Sequence, residues 1–244
     1  MFYPNPLKKM SRCLKFERYA LSFGSGNEIN CGHNTSLELT NKFSMEAWVC
    51  AMGFPWHNSP DLGYGYIFCK REAWRSGGSY SPAYSHAGTH LYTFIRKPDD
   101  SGYSYVEWAD PIKNRLYHFV FTFDNGKGKV YANAIEVASR IFDFTSIHTN
   151  SEDLKIGSNA FKGFILLARI YKDYALKPAE VKWNMLNYYN PVHPDKLVLW
   201  LPMDEGGGGR VYDKSGNANN GTLLPVNDPP AWTRVRQYEI HASV

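Results

Sequence analysis

Tyr117–Ser139 reads YHFVFTFDNGKGKVYANAIEVAS, and the fold is decided here. Alternation in Tyr117–Phe123 sends Phe119, Phe121 and Phe123 to one face and His118, Val120 and Thr122 to the other. That is the period of a strand, and a face carrying three phenylalanines belongs in a core. Asp124–Gly128 (DNGKG) is a hairpin turn, because Asn-Gly supplies the residues that tolerate positive φ. Lys129–Asn133 and Ile135–Ser139 continue the pattern, so the stretch is a run of antiparallel strands with one buried face.

The same signature extends outward in both directions. Tyr19–Asn30, Phe43–Ala51, Tyr64–Lys70, His90–Arg96 and Tyr103–Trp108 precede it, and Leu154–Gly157, Phe164–Lys172 and Leu197–Met203 follow. All are short and aromatic or β-branched, and Gly, Asn, Asp or Pro separates most of them. One helix is expected at Leu176–Leu186, near 177–187. Pro178 sits in its first turn, Glu180 lies early, and Val181, Trp183 and Met185–Leu186 fall loosely on one side. Residues 53–108 form an aromatic-rich loop region, with 13 aromatics in the 55 residues from Phe54 to Trp108. Of this region Gly53–Ser85 is only briefly strand-like.

A chain of 244 residues suits one large sandwich, and no linker divides it. The division expected is an N-terminal arm, 1–18, and a single β-sandwich, 19–244. A net charge of +4 is too small to imply polyanion binding. No apolar run approaches the roughly 18–20 residues of a membrane span, so no membrane insertion is expected. No secretory signal is evident in Met1–Phe16. Cys31 and Cys50 stand at the ends of strands expected to be neighbours, where a disulfide is geometrically allowed; the default without a signal is reduced thiols.

Three stretches resemble the laminin G-like (concanavalin A-like) jelly rolls. Ala20–Val49 (ALSFGSGNEINCGHNTSLELTNKFSMEAWV) is similar to the family's opening strand, its loop and the strand ending in E-A-W. Tyr117–Ser139 is similar to its central hairpin, with the pattern D-G-x-x-x-x-Y-x-N-G. Leu154–Leu176 is similar to its I-G strand and the following G-x-I-x-x-x-R-I-Y-x-x-A-L segment. The resemblance implies an all-β jelly-roll β-sandwich with one short helix. Leu197–Leu224 and the strand Ala231–Arg234 resemble the segment that begins such a domain, yet here they come last. Either a truncated second repeat starts here or the domain is circularly permuted. Twenty residues after Leu224 are too few for another sandwich, so 197–234 is read as a permuted terminal segment, which neighbouring termini permit.

The resemblance raises sugar hydrolysis and calcium-dependent binding as expectations. Retaining glycosidases need two carboxylates about 5 Å apart across one bond. No Glu here has an Asp two residues later, and Glu107 and Asp110 fall on opposite strand faces. The protein is therefore expected not to be an enzyme. Asp213, Asn217, Asn219 and Asn220 in DKSGNANNG are the candidate Ca2+ ligands, since hard cations take six to eight oxygens from such loops. Against this, the family's S-F-D-G is S-F-G-S at Ser22–Ser25, and its I-D-E is replaced at Ile165–Leu167. The structural alternative is that Asp213 and Asn217 make Asx-turns. His86 and His90 have metal-pair spacing without a helix to use it, and Gly206–Gly209 lacks the continuation of a phosphate-binding loop.

Trp56, Tyr64, Tyr66, Trp74, Tyr80 and Tyr84 are the candidate aromatic platform. Sugar rings pack their C–H faces on such planes, and protein interfaces enrich the same residues. Lys8, Lys9, Arg12, Lys15 and Arg18 make a basic arm, with Arg234 and Arg236 beside it if the termini meet. Two functions follow. The first is a non-catalytic structural and adhesive surface module, such as a decoration or spike component of a virus particle, with neighbouring subunits as partners and glycans as a further ligand. The second is a free-standing carbohydrate-binding lectin. Nucleic acid is not an expected partner. The expected location is a virion or extracellular surface, otherwise the cytoplasm.

Overall fold

The Phe ladder is buried where alternation puts it. Phe119, Phe121 and Phe123 have no exposed surface, on the strand Leu116–Asp124. Asn125 and Gly126 take left-handed φ values of 49° and 91° and return the chain into Lys127–Ala132, as the Asn-Gly pair predicts. The structure, a computed structural model, describes residues 16–52, 64–71, 78–85, 89–109 and 111–237.

Leu116–Asp124 lies inside an eight-stranded antiparallel sheet. Ile135–Ile141 forms one edge, followed by Lys127–Ala132, Leu116–Asp124, Lys42–Ala51, Gly163–Lys172, Phe16–Phe23 and Ala231–Gln237. Leu197–Leu201 pairs with the far half of Gly163–Lys172, beyond the point where Phe16–Phe23 leaves it. Gly163 has φ 147°, and a Cβ there would stand 2.0 Å from the Cys50 carbonyl oxygen, so no side chain fits at this crossing.

Two smaller sheets face the large one. The first joins Gly65–Tyr66, Tyr80–Tyr84, His90–Arg96 and Tyr103–Ala109; the second joins Arg210–Val211, Gly221–Leu224, Glu28–Asn30, Lys155–Ile156 and Phe68–Cys69. Their inward residues, among them Tyr80, Leu91, Ile95, Ile29, Phe68 and Leu223, meet Phe43, Met45, Phe121 and Ile170 in one apolar core. Each such side chain contributes about 1.5–3 kcal/mol of burial. The segment 197–234 supplies strands to both layers, completing the same sandwich.

The large sheet is covered on its other face by the helix Pro178–Leu186. Pro178 begins it, and the Lys177 backbone N–H donates to Glu180 Oε2 at 2.8 Å, which satisfies the cap. Its buried stripe is Val181, Asn184 and Met185, whereas Trp183 and Leu186 are exposed. Sequence periodicity selects the apolar residues; the structure instead buries Asn184 because Glu46 awaits it. Glu46 Oε2 accepts from Asn184 Nδ2 at 2.8 Å, while Oε1 takes Arg169 Nη1 at 2.8 Å and His118 Nε2 at 3.0 Å. Glu46, Arg169, His118 and Asn184 are all fully buried.

Other sequence expectations shift in detail. Tyr19–Asn30 is two strands, Phe16–Phe23 and Glu28–Asn30, because the chain turns at Gly26, whose φ is 85°. Residues 16–18, assigned to the arm, begin the first strand. The strand Tyr80–Tyr84 was not expected within the Gly-, Ser- and Pro-rich loop. Cys31, Cys50 and Cys69 are free thiols, all buried. Cys31 packs in the core and Cys50 on the opposite face of the sheet, so the two do not pair.

Candidate functional site

The four-stranded sheet turns an aromatic face outward. In His90–Arg96 alternation buries Leu91, Thr93 and Ile95 and directs His90, Tyr92, Phe94 and Arg96 to the other side. The next strand adds Tyr103, Tyr105 and Glu107, with Tyr92 paired to Glu107, Phe94 to Tyr105 and Arg96 to Tyr103. On the opposite flank the partners of Phe94 and Tyr92 are the small residues Ser81 and Ala83, which leave room for large rings beside them.

Rings then run in series along the strand. His90 and Tyr92 stack at 5.8 Å and 19°, and Tyr92 and Phe94 at 5.5 Å and 25°. Tyr105 closes the row edge-on from one side, 5.2 Å from Tyr92 at 88°, and Tyr64 from the other, 5.2 Å from Phe94 at 86°. These edge-to-face contacts contribute about 0.5–1.5 kcal/mol each beyond area burial and fix the ring planes. Phe94 is the buried floor, Tyr105 is 38% exposed, and Tyr64, Tyr92 and Tyr103 are partly exposed.

Polar groups frame the rings. Arg140 lies over Tyr105 at 5.7 Å and donates to its carbonyl at 3.0 Å. Arg71 lies over Tyr66 and Tyr103 at 5.3 and 5.5 Å, and Arg96 over Tyr103 at 4.7 Å. His90 Nε2 stands 3.3 Å from Glu107 Oε1. Burial first, then the neighbouring Tyr105, raises the Tyr64 hydroxyl above its ordinary value; burial and Glu107 do the same for Tyr92. These phenols are neutral donors at physiological pH. The face thus offers flat apolar planes rimmed by hydroxyls, a carboxylate and guanidiniums.

Of the six expected platform residues, Tyr64 lies on this face with its ring partly open. Tyr66 belongs to the same cluster but is 3% exposed. Tyr80 and Tyr84 point into the core from the neighbouring strand of the same sheet, and the Tyr80 hydroxyl bonds to the Leu37 carbonyl at 3.2 Å. They pack the sandwich and offer no plane to a ligand. Trp56 and Trp74, like His86, lie outside the described residues. The sequence reading missed Tyr92 and Tyr105, together with Phe94, His90 and Glu107. Their signal was present in HLYTFIR and YSYVEW, where every second residue of each run lies on one face.

Asp213 holds a different role. Its Oδ1 accepts from the backbone N–H groups of Trp200 and Ser215 at 2.8 and 2.9 Å. Its Oδ2 accepts from Ser215 Oγ and the Asn219 backbone N–H at 2.8 and 2.9 Å. Asn220 Oδ1 accepts from the Asp213 backbone N–H, and the Asn217 and Asn219 amides donate to the carbonyls of Leu197 and Val198. Four donors occupy the carboxylate, and the loop is the Asx-type staple described as the structural alternative. Among the described residues no group of three His, Cys, Asp or Glu side chains is arranged to hold a metal ion. The donor set does not fit calcium in this arrangement.

No helix among the described residues is long and apolar enough to cross a membrane. The family model of the concanavalin A-like lectin/glucanases superfamily matches residues 23–182. No curated protein matches the sequence. Among solved structures, a candidate carbohydrate binding protein from Bacteroides ovatus superposes with a TM-score of 0.65 at 21% identity. The match covers 91% of this chain and 60% of that one, so this chain spans three fifths of that protein's length. A heptameric SAP-like pentraxin from Limulus polyphemus gives a TM-score of 0.50 at 13% identity, over 69% of this chain and 82% of that one. At these identities the likeness is one of fold.

Proposed function

Since the chain belongs to the concanavalin A-like lectin/glucanase superfamily, we propose that it is a non-catalytic carbohydrate-binding module whose ligand rests on the outer face of the four-stranded sheet. One observation carries this reading: Tyr64 and Tyr105 stand edge-on around the stacked Tyr92 and Phe94, so a partly open aromatic surface is held rigid before any ligand arrives. A pyranose ring lays its C–H face on such planes, and preorganised rings lose little entropy on binding. Glu107, His90 and the tyrosine hydroxyls are placed to take the ring's hydroxyl groups. The carbohydrate-binding designation of the Bacteroides ovatus neighbour supports the same reading.

No part of this proposal passes through calcium, because donors from Trp200, Ser215 and Asn219 occupy the Asp213 carboxylate. The test is a broad glycan array read in calcium and again in EDTA, with the native chain and with Tyr92→Ala and Tyr105→Ala. Binding that survives EDTA and falls about tenfold or more in either variant is expected, as for the loss of an aromatic anchor. Binding abolished by EDTA, or indifferent to both substitutions, would overturn the proposal.

A second reading is a subunit of a larger assembly, such as a decoration or spike component on a virion or another extracellular surface. It is favoured by the edge strand Ile135–Ile141, where Ile135 is 54% and Ile141 81% exposed. Such an edge is a template for a further strand. A silent array together with a multimeric mass by light scattering would select it.

A further inference from the structure

Arg140 stands where the edges of two sheets meet. Its strand, Ile135–Ile141, is one edge of the large sheet, and Tyr103–Ala109 is an edge of the four-stranded sheet. The residue opposite Arg140 is Gly128, where a Cβ would stand 2.7 Å from the Phe142 ring and 3.0 Å from Val106. The absent side chain admits Phe142 beside the guanidinium, which lies over that ring at 5.5 Å and over Tyr105 at 5.7 Å. Arg140 Nη1 also donates to the Tyr105 carbonyl at 3.0 Å. An exposed side chain from one layer is thereby fixed to the margin of the aromatic face on the other. Rings and a backbone carbonyl orient the guanidinium without neutralising it.

The surrounding charges are matched in pairs. Lys129, on the neighbouring strand, pairs with Glu136 at 2.6 Å, and Arg96 pairs with Asp100. Glu107, two positions beyond Tyr105 on the same strand, stands 3.3 Å from His90. Arg140 has no carboxylate partner among the described residues. A guanidinium carries five N–H donors, and the Tyr105 carbonyl takes one. The face is therefore polarised: an acceptor, Glu107, lies beside Tyr92, and an uncompensated donor, Arg140, lies beside Tyr105.

We propose that Arg140 sets the specificity of the aromatic face, selecting glycans that carry an oxyanion, a uronate carboxylate or a sulfate, over neutral ones. This inference rests on the carbohydrate-binding reading of that face. A pyranose lying on Tyr92 and the open part of Tyr105 ends beside the guanidinium, whose planar fork matches either oxyanion. Glu107 takes a ring hydroxyl on the other side.

The test is equilibrium binding of the whole chain, by surface plasmon resonance, to immobilised polygalacturonate and dextran sulfate. Methyl-esterified polygalacturonate and dextran are their neutral counterparts. One acidic polymer is expected to bind about tenfold or more tightly than its counterpart, with a preference that shrinks as salt is added. Whichever polymer this is identifies the oxyanion recognised. Arg140→Gln is expected to remove most of that preference. Arg140→Lys should fall in between, and it serves as the test if the Gln variant fails to fold by circular dichroism. Arg210→Met removes an equal charge from an exposed site on another sheet and should leave the preference unchanged. No preference for either acidic polymer, an unmoved preference in a folded Arg140 variant, or an equal loss in Arg210→Met would overturn the assignment. Tyr92→Ala separates the two readings. Native affinity in that variant would overturn the aromatic face itself and this inference with it, whereas weaker binding there beside an unmoved preference in Arg140→Gln would overturn this inference alone.

Discussion

At the scale of single residues, the hairpin after Lys127–Ala132 carries a strained position. Asn133 and Ala134 have φ values of 50° and 64°, both in the left-handed region. Asparagine tolerates that region, but an alanine Cβ there costs about 1–2 kcal/mol. Ala134→Gly is therefore expected to stabilise the protein by about 0.5–1 kcal/mol after the loss of its methyl packing, raising the thermal midpoint by roughly 2 °C. A lower midpoint on calorimetry would show that the methyl group outweighs the strain. The signal stood in the sequence, where the Y-x-N-G pattern is followed up to Asn133 and broken at Ala134, but the sequence reading did not single it out. Asn184 was not legible. Its burial depends on Glu46, which lies 138 positions away in the chain, and helical periodicity says nothing about a polar residue that completes a distant network.

Among the elements, the helix is held to the large sheet by polar groups as well as apolar ones. Burial works to raise the Glu46 carboxyl, but the Arg169 charge and the bonds from His118 and Asn184 hold it below its ordinary value of 4.5. A carboxyl depressed in the folded state stabilises the fold above its unfolded value, and that contribution is lost as pH falls through the folded one. Stability is therefore expected to fall on acidification below about pH 4.5. Glu46→Gln should cost about 3–5 kcal/mol at neutral pH, because it leaves Arg169 buried without a counter-charge. It should also flatten the acid limb of a urea-midpoint profile. An acid limb unchanged in the variant would assign it to other carboxylates. The strands themselves were readable wherever alternation ran for five residues or more, as in Leu116–Asp124. Tyr80–Tyr84 escaped because Pro82 and the Gly- and Ser-rich surroundings hide a strand that alternates Tyr80 and Tyr84 inward with Ser81 and Ala83 outward. With it went the small flank, Ser81 and Ala83, that makes room beside the rings of the aromatic face.

At the scale of the whole molecule, the large sheet is finished by the last strand lying against the first. The C-terminal segment supplies strands to both layers, and the family model stops short of it at residue 182. We read its position as a permutation, and the reading has a direct test. A chain rearranged so that residues 197–237 precede Phe16, with the old ends joined through a flexible linker, is expected to fold with an unchanged circular dichroism spectrum. Its midpoint should lie within a few degrees of the native one, since only connectivity changes. An insoluble or molten product would instead make the present order of segments a requirement of the fold. The sandwich as a class was legible from strand patterning, while the face proposed to carry ligand was not singled out, because alternation shows which residues share a face but not that rings from separate strands stack on it.

The pairing of Phe16 with Gln237 at one end of that strand pair also governs how the molecule answers a pull. Tension applied through the two chain ends enters both strands at the same end and draws them apart sideways. The hydrogen bonds between them are then loaded one after another, like the teeth of a zip, and never together in shear. A module tethered by both ends would yield from this seam at low force. One tethered by a single end would carry the load past the sandwich and leave its aromatic face undisturbed.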